Sequence, residues 1–117
     1  MRKYILISKK INKFKKTIRI SGDKSLSIRW ALMASQAIGK SKAYNLLKSE
    51  DILSTLKCLK KLGIKSKLNS KFCEITGGGL NSFVYKNNTI INAGNSGTLA
   101  RLILGLLIKS SKKIKII

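Results

Sequence analysis

Residues 46–63, LLKSEDILSTLKCLKKLG, are the stretch that decides the local fold most clearly. Ser49 has a typical N-cap side chain, and Glu50 and Asp51 follow it in the first turn, where the positive end of the helix dipole favours carboxylates. Apolar residues then recur at helical spacing: Ile52, Leu56, Leu59 and Leu62. Gly63 is a typical C-terminal stop. The stretch therefore predicts an amphipathic helix with one face in a core.

The residues before this helix predict strands and one further helix. Strands are expected at residues 4–8, 17–20 and 43–47. A basic turn at residues 9–16 separates the first two. The helix is expected at residues 24–38, because apolar side chains recur there about every 3.6 residues and Gly39 follows as a C-terminal glycine. Its predicted apolar face consists of Trp30, Met33, Ala34 and Ala37.

The residues after it predict a hairpin, a polar loop and the start of a second unit. The hairpin pairs residues 64–68 with residues 71–76, and residues 77–79, all glycine, are expected to form a turn. A polar loop at residues 81–88 leads to a strand at residues 89–92. A helix capped by Asn95 or Ser96 follows, and a last strand is expected at residues 113–117. The predicted face of that helix is Leu99, Leu102, Ile103, Leu106 and Leu107. The order gives a mixed α/β (α+β) fold of β-α-β-α-β-β units, and we expect the chain to be the front part of a larger protein.

Composition restricts the function classes. The 117 residues include 44% hydrophobic residues, enough for a core, and carry a net charge of +21. The charge is mostly lysine spread along the chain, and aromatic residues make up 6%. Cations and rings are not interleaved as in proteins that stack bases, so we expect no specific nucleic-acid partner, only non-specific attraction to polyanions.

The cysteines and the apolar runs favour a cytoplasmic protein without a metal. Cys58 and Cys73 form no CxxC pair, and the sequence has no histidine, so neither a zinc site nor a cofactor is predicted. No apolar run approaches the roughly 20 residues of a membrane span, and the N-terminal hydrophobic stretch is too short for a secretory signal.

Residues 21–29, SGDKSLSIR, have the chemistry of an anion-binding helix start. Lys24 and Ser25 fall in the first turn, and Arg29 lies one turn beyond Ser25 on the same face. First-turn N–H groups, a hydroxyl and a guanidinium can hold one phosphate or carboxylate together. An ordinary capped helix with solvated cations remains the alternative.

Residues 94–101, GNSGTLAR, repeat that chemistry at the last predicted helix. Asn95, Ser96 or Thr98 can cap the helix, and Gly97 lets a ligand approach the backbone without a Cβ in its way. Arg101, four residues after Gly97, can reach the same ligand or pair with a carboxylate. A well-capped amphipathic helix is the alternative here.

These motifs, in this order and spacing, resemble the N-terminal part of the 3-phosphoshikimate 1-carboxyvinyltransferase (EPSP synthase) family. The resemblance runs from about residue 18 to residue 117 and rests on SGDKSLSIR, LLKSEDILSTLKCLKKLG and GNSGTLARLILGLL. The related UDP-N-acetylglucosamine enolpyruvyl transferase family shares the fold. It typically has Lys-Asn where this chain has Lys24 and Ser25, and it lacks the GNSGTxxR helix, so it is a more distant alternative.

The resemblance implies the enolpyruvyl transferase fold, in which two lobes of β-α-β-α-β-β units form an inside-out α/β barrel around a cleft. Residues 1–21 would belong to the lobe completed by a C-terminal part, and residues 22–117 would begin the other lobe. The implied reaction transfers the enolpyruvyl group of phosphoenolpyruvate to the 5-hydroxyl of shikimate 3-phosphate. The implied protein is a monomer when complete, needs no cofactor, and has no membrane partner.

The resemblance also implies roles for individual residues. Lys24 would be catalytic and would contact both substrates, while Ser25 and Arg29 would bind shikimate 3-phosphate. Asn95 and Gly97 would line the phosphoenolpyruvate pocket. Supporting roles fall to Asp51, Thr98 and Arg101. For Asp51 two alternatives stay open: it pairs with Lys24 and orients it, or it is simply a first-turn carboxylate that the helix dipole favours.

The sequence lacks acids in a proton-transfer motif. Its four carboxylates are Asp23, Glu50, Asp51 and Glu74. The implied reaction needs a general acid and a general base, so the chain alone is expected to be inactive. A stand-alone basic anion-binding module without catalysis remains the alternative function.

Overall fold

The computed structural model describes residues 21–117 together with Lys13, Lys15 and Thr17. The strands predicted at residues 4–8 and 17–20, and the turn between them, lie outside the described residues except for those three positions. The domain division between residues 21 and 22 remains a prediction.

The described chain forms three helices and five strands. The helices are α1 (Lys24–Gln36), α2 (Glu50–Lys61) and α3 (Gly97–Leu107), and the strands are β1 (Ile38–Tyr44), β2 (Lys65–Leu68), β3 (Phe72–Gly78), β4 (Thr89–Ile91) and β5 (Ile114–Ile116). An antiparallel sheet has the order β1-β3-β2, and β4 pairs with β5 in parallel. The elements from α1 to β3 match the predicted β-α-β-α-β-β unit without its first strand. The elements β4, α3 and β5 match the β-α-β start of a second unit. None of the helices described here is long and apolar enough to cross a membrane.

Helix α2 confirms the central prediction. The Ser49 hydroxyl accepts a hydrogen bond from the Ile52 N–H at 3.4 Å, and the predicted face is buried at Ile52, Leu56, Leu59 and Leu62. Gly63 ends the helix with a φ of +87°. A Cβ there would lie 2.8 Å from the Val84 carbonyl oxygen, so the turn and the following loop both require glycine.

The bounds and the buried face of α1 differ from the prediction. The helix ends at Gln36, and β1 begins at Ile38 instead of residue 43, so Gly39 lies within a strand. The buried residues are Ser27, Ile28, Ala31, Leu32, Ala34 and Ser35. Met33 is 70% exposed, and of the predicted apolar face only Ala34 is buried. Helix α1 packs against α2, α3 and β3, and these contacts bury the stripe of Ile28, Ala31, Leu32 and Ser35 instead of the stripe through Trp30 and Met33.

The glycine run at residues 77–79 is not a simple turn. Gly77 and Gly78 belong to β3, where they pair with Gly39 and Ile38 of β1. A Cβ on Gly77 would lie 2.2 Å from the Ala37 carbonyl oxygen. The strand therefore runs directly against the C-terminal end of α1, and no side chain fits between them.

The core lies between the helices and one face of the β1-β3-β2 sheet. Cys73 and Ile75 of β3 point into it and are fully buried. Helix α3 contributes Leu99 and Ile103, also fully buried, while Leu106 and Leu107 are half-buried. Leu102, predicted on the same face, is 39% exposed. The buried face of α3 is thus narrower than the apolar face that the sequence pattern predicts.

The two buried thiols predict a loss of stability at alkaline pH. Burial raises the pKa of Cys58, against the opposing effects of the Lys61 charge and the Asn92 carbonyl, and burial also raises the pKa of Cys73. Above about pH 8.5 the unfolded chain loses thiol protons that the folded chain keeps, so the free energy of unfolding falls as pH rises. Urea unfolding between about pH 7.5 and about pH 9.5 should show this decrease, at most about 1.4 kcal/mol per pH unit for each thiol. The double variant Cys58→Ala/Cys73→Ala should show a shallower slope, and an unchanged slope would contradict the assignment.

Candidate anion-binding site

The start of α1 is fixed against the connection between β1 and α2. Asp23 is the N-cap, and its Oδ1 accepts a hydrogen bond from the Leu26 N–H at 2.7 Å. A Cβ on Gly22 would lie 2.6 Å from the Asn45 carbonyl oxygen, so the two backbones touch only because this residue is glycine. The buried Ser27 hydroxyl accepts a hydrogen bond from the Leu47 N–H at 3.2 Å. The first turn therefore has a defined position relative to α2.

Lys24 and Asp51 join the first turns of α1 and α2. The Lys24 Nζ lies 3.1 Å from Asp51 Oδ2, with the lysine side chain 55% exposed and the aspartate side chain 14% exposed. The pairing considered from the sequence is therefore present. A partly solvated pair adds at most about 1 kcal/mol to stability, so its main effect is to orient the ammonium group. The ammonium has three donors, and the Asp51 contact leaves donors that can reach a ligand.

Ser25 and Arg29 lie beside Lys24 on the adjoining face of α1. Ser25 is half-buried and Arg29 is exposed one turn further along the helix. No carboxylate within residues 21–117 pairs with Arg29. The side chains thus present a hydroxyl and a guanidinium next to the positive end of a helix, an arrangement suited to a phosphate.

The start of α3 is held by its own cap and by α2. Ser96, not Asn95, is the N-cap: its hydroxyl accepts a hydrogen bond from the Leu99 N–H at 3.1 Å. Gly94 has a φ of +58°, and a Cβ there would lie 3.1 Å from the Ser54 hydroxyl of α2. Asn95 and Gly97 are exposed, and Thr98 is half-buried behind them. The exposed backbone of this turn is therefore accessible from solvent.

Arg101 lies over the first turn of α3. Its Nη1 is 3.0 Å from the point that a Cβ of Gly97 would occupy. The guanidinium thus stands beside the positive end of its own helix, where the dipole disfavours a cation. A bound anion would relieve this repulsion and would accept hydrogen bonds from both the guanidinium and the first-turn N–H groups.

The first turns of three helices converge in this region. The Lys24–Asp51 ion pair connects α1 to α2, Ser54 of α2 lies close to Gly94 in the loop before α3, and α1 contacts α3. Ser54 lies outside the motifs predicted from the sequence, although its position three residues after Asp51 places it on the same side of α2. The convergence brings together the two motifs, which are separated by more than 60 positions in the sequence.

A cleft of about 720 Å³ adjoins the start of α1, where Ser21, Gly22 and Asp23 line it. Leu26 and Trp30 form much of its wall, and Asp23 is the one charged residue among the described residues that line it. A carboxylate with no cation beside it disfavours an anion, so this cleft is less suited to an anion than the helix starts that carry Lys24 and Arg101.

The fold is a mixed α/β arrangement in which three cations, Lys24, Arg29 and Arg101, lie near the starts of two helices. The family model of EPSP synthase (3-phosphoshikimate 1-carboxyvinyltransferase) matches residues 8–116. The chain belongs to the EPSP synthase family.

Individual relatives agree with this assignment. The chain is 39% identical over 101 residues to the 3-phosphoshikimate 1-carboxyvinyltransferase of Streptococcus suis (strain 98HAH33), covering 86% of this chain and 24% of the relative. It is 42% identical over 91 residues to the 3-phosphoshikimate 1-carboxyvinyltransferase of Bacillus cytotoxicus, and the match covers 78% of this chain and 21% of the relative. The structure of EPSP synthase from Acinetobacter baumannii matches with a TM-score of 0.70 and 28% identity, covering 85% of this chain and 23% of that one. The chain thus spans about a quarter of the length of the curated relatives it matches, and its fold is a part of the EPSP synthase fold.

Proposed function

We propose that this chain supplies part of the substrate-binding site of a 3-phosphoshikimate 1-carboxyvinyltransferase. The reaction transfers the enolpyruvyl group of phosphoenolpyruvate to the 5-hydroxyl of shikimate 3-phosphate and releases phosphate. Family membership supports the reaction, and one observation supports the location: Lys24, Arg29 and Arg101 lie on converging helix starts. Both substrates are anions that such a site would attract. A cytoplasmic location and a monomeric complete enzyme are parts of this proposal.

Ser25 and Arg29 bind the phosphate of shikimate 3-phosphate in this proposal. The planar guanidinium can donate two parallel hydrogen bonds to one phosphate, and the hydroxyl can donate a third. Arg29 is exposed and has no carboxylate partner among the residues of the described range, so no ion pair there must break before it binds. The first-turn N–H groups of α1 add to the same attraction.

Lys24 contacts both substrates and stabilises charge on the side of phosphoenolpyruvate. The Asp51 carboxylate orients the Lys24 ammonium at the junction of α1 and α2, with 3.1 Å between Oδ2 and Nζ. A cation fixed before the substrates arrive costs little reorganisation during the reaction, and this is the main source of electrostatic catalysis. Asp51 is therefore a positioning residue in the proposal.

The start of α3 receives phosphoenolpyruvate. Asn95 and the exposed backbone at Gly97 line this part of the pocket, and Arg101 lies over it. Thr98 is half-buried, which suits a supporting role behind the contact surface. The substrate would neutralise a guanidinium that the helix dipole otherwise repels.

The four carboxylates of the chain have other surroundings. Asp23 caps α1, Asp51 pairs with Lys24, and Glu74 pairs with lysines on the sheet. Glu50 is exposed at the start of α2. Three of the four carboxylates thus already serve as a cap or in ion pairs, and in the proposal proton transfer falls to residues from other parts of a complete enzyme.

The test is an assay of phosphate release by a complete protein that contains this sequence. We expect release only when phosphoenolpyruvate and shikimate 3-phosphate are both present, with the enolpyruvyl ether as the second product. Release that needs only one substrate, or none with both, would show that the reaction is a different one. UDP-N-acetylglucosamine as the acceptor tests the related transferase directly.

Gly97→Ala is expected to weaken the use of phosphoenolpyruvate in that assay. The new Cβ would lie 3.0 Å from Arg101 Nη1 and would occupy space above the first-turn N–H groups. We expect KM for phosphoenolpyruvate to rise by about 10-fold or more, equivalent to about 1.4 kcal/mol, with a much smaller change for shikimate 3-phosphate. Gly105→Ala in the same helix is the control, because nothing lies within 4 Å of its added methyl group. Equal effects at both glycines would remove Gly97 from the site.

A further inference from the structure

The outer face of the three-stranded sheet collects side chains from three separate strands. In the register of β1, β3 and β2, Lys42 lies opposite Glu74, which lies opposite Lys67, and Lys40, Thr76 and Lys65 form the next row. A third row pairs Tyr44 with Phe72. We call this surface the outer sheet face; it consists of Lys40, Lys42, Tyr44, Lys65, Lys67, Phe72, Glu74 and Thr76. The opposite face of the sheet packs against the helices, so the outer sheet face is separate from the anion-binding site.

The charge of this face is strongly positive. Four lysines accompany a single carboxylate, which leaves a net charge of +3. Glu74 lies 3.5 Å from both Lys40 Nζ and Lys42 Nζ, so both lysines on β1 share it. Partial burial acts to raise the pKa of Glu74, but the two ammonium groups outweigh burial and hold the pKa below its usual range. Lys65 and Lys67 are exposed and pair with no carboxylate in the described part of the chain.

An aromatic pair lies at the end of the basic rows. The Tyr44 ring is 70% exposed and meets Phe72 edge-on, with 6.2 Å between ring centroids and 61° between ring planes. Lys42 Nζ lies 5.0 Å from the centroid of the Phe72 ring. The contact with Phe72 holds the tyrosine in place and leaves most of its surface open to a flat ligand.

We propose that the outer sheet face binds single-stranded nucleic acid without sequence preference. The lysines would contact backbone phosphates, and Tyr44 would stack on a base. Sheet surfaces that bind single strands combine these two elements, an electrostatic groove and an aromatic platform. An acidic protein segment would use the lysines but would gain little from an exposed ring, so the tyrosine favours a nucleic acid.

This surface cannot be recognised from the order of residues along the chain. Lysines and rings are scattered over β1, β2 and β3, and only the antiparallel register places them in adjacent rows. The absence of interleaved cations and rings along the chain therefore says nothing about their proximity on the sheet. Binding of this kind needs no base readout and is compatible with the expectation, drawn from the sequence, of no specific nucleic-acid partner.

The first test compares two double variants that remove the same charge. Lys65→Gln/Lys67→Gln changes the outer sheet face, and Lys57→Gln/Lys60→Gln changes the exposed side of α2. Fluorescence anisotropy of a short labelled oligothymidylate is measured with the full chain over a range of salt concentrations. Loss of two phosphate contacts should lower the magnitude of the log–log salt slope by about 1.4 for the sheet variant, and the helix variant should retain the slope. Equal losses would show that net charge alone attracts the strand and would overturn the proposal.

The second test separates stacking from charge. Tyr44→Leu should weaken binding by about 5-fold or more at every salt concentration without changing the slope, because base stacking is worth about 1–3 kcal/mol. Tyr44→Phe should retain the wild-type affinity. Circular dichroism of each variant verifies the fold, and leucine keeps an apolar contact with Phe72. Unchanged affinity of Tyr44→Leu, or equally strong binding of polyglutamate, would show that the face is a surface for any polyanion and would reject the nucleic acid.

Discussion

Lys24→Ala in a complete carboxyvinyltransferase that contains this sequence is expected to lower kcat by about 10³-fold or more. The variant removes a cation that Asp51 holds in place, and a single preorganised donor to developing charge typically contributes about 10²–10³ in rate. Lys24 is also proposed to contact both substrates, so KM should rise for both. Steady-state phosphate release at saturating substrates measures the effect.

Lys57→Ala is the matched control for that variant. Lys57 lies on the exposed side of α2 and forms no ion pair with any residue of the described part of the chain. Its removal changes the net charge equally and should leave kcat within about 2-fold, since exposed charges are weakly coupled to distant sites. Near-normal turnover of Lys24→Ala would exclude this lysine from the reaction.

Gly77→Ala is expected to have the largest effect on stability. Its Cβ would lie 2.2 Å from the Ala37 carbonyl oxygen, 2.3 Å from that of Ala34 and 3.0 Å from that of Ser35. These atoms are backbone and cannot rotate away, so β3 must separate from the end of α1. We expect a loss of about 3 kcal/mol or more in the free energy of unfolding, at the upper end of overpacking effects.

Gly105→Ala should have the opposite sign. The site is helical, exposed and open, so the methyl group meets nothing, and alanine in place of glycine within a helix adds about 0.5–1 kcal/mol. Urea unfolding followed by circular dichroism compares the two variants under the same conditions. A Gly77→Ala protein as stable as wild type would show that β3 does not run against α1 as described.

Local signals predicted those parts of the fold that depend on nearby residues. Helix α2 was predictable because Ser49, the apolar spacing and Gly63 all specify the same helix. The buried face of α1 was not, because α2, α3 and β3 select it from outside the helix. Gly77 was misassigned for a similar reason: a glycine that permits close packing has the same sequence signature as a glycine in a turn.

In the candidate site, too, features that depend on nearby residues were predictable, and features that depend on contacts between separate elements were not. The sequence identified the two motifs, since each rests on residue chemistry at a helix start. The Lys24–Asp51 pairing was one of two alternatives for Asp51, and the structure contains it. The i, i+4 spacing also placed Arg101 near Gly97 within one helix. The sequence did not show that Ser54 of α2 would lie beside Gly94 in the loop before α3, because that contact depends on how separate elements pack against each other. The roles of the individual residues in binding remain predictions.

The most direct measurement is a crystal structure of a complete protein that contains this sequence, with shikimate 3-phosphate and phosphoenolpyruvate bound. We expect the phosphate of shikimate 3-phosphate within about 3 Å of the Ser25 hydroxyl and the Arg29 guanidinium, and phosphoenolpyruvate at the first turn of α3 near Gly97. The Lys24 ammonium should lie between the two ligands. Substrates bound away from the converging helix starts, with Lys24 and Arg29 still in solvent, would contradict the proposed site.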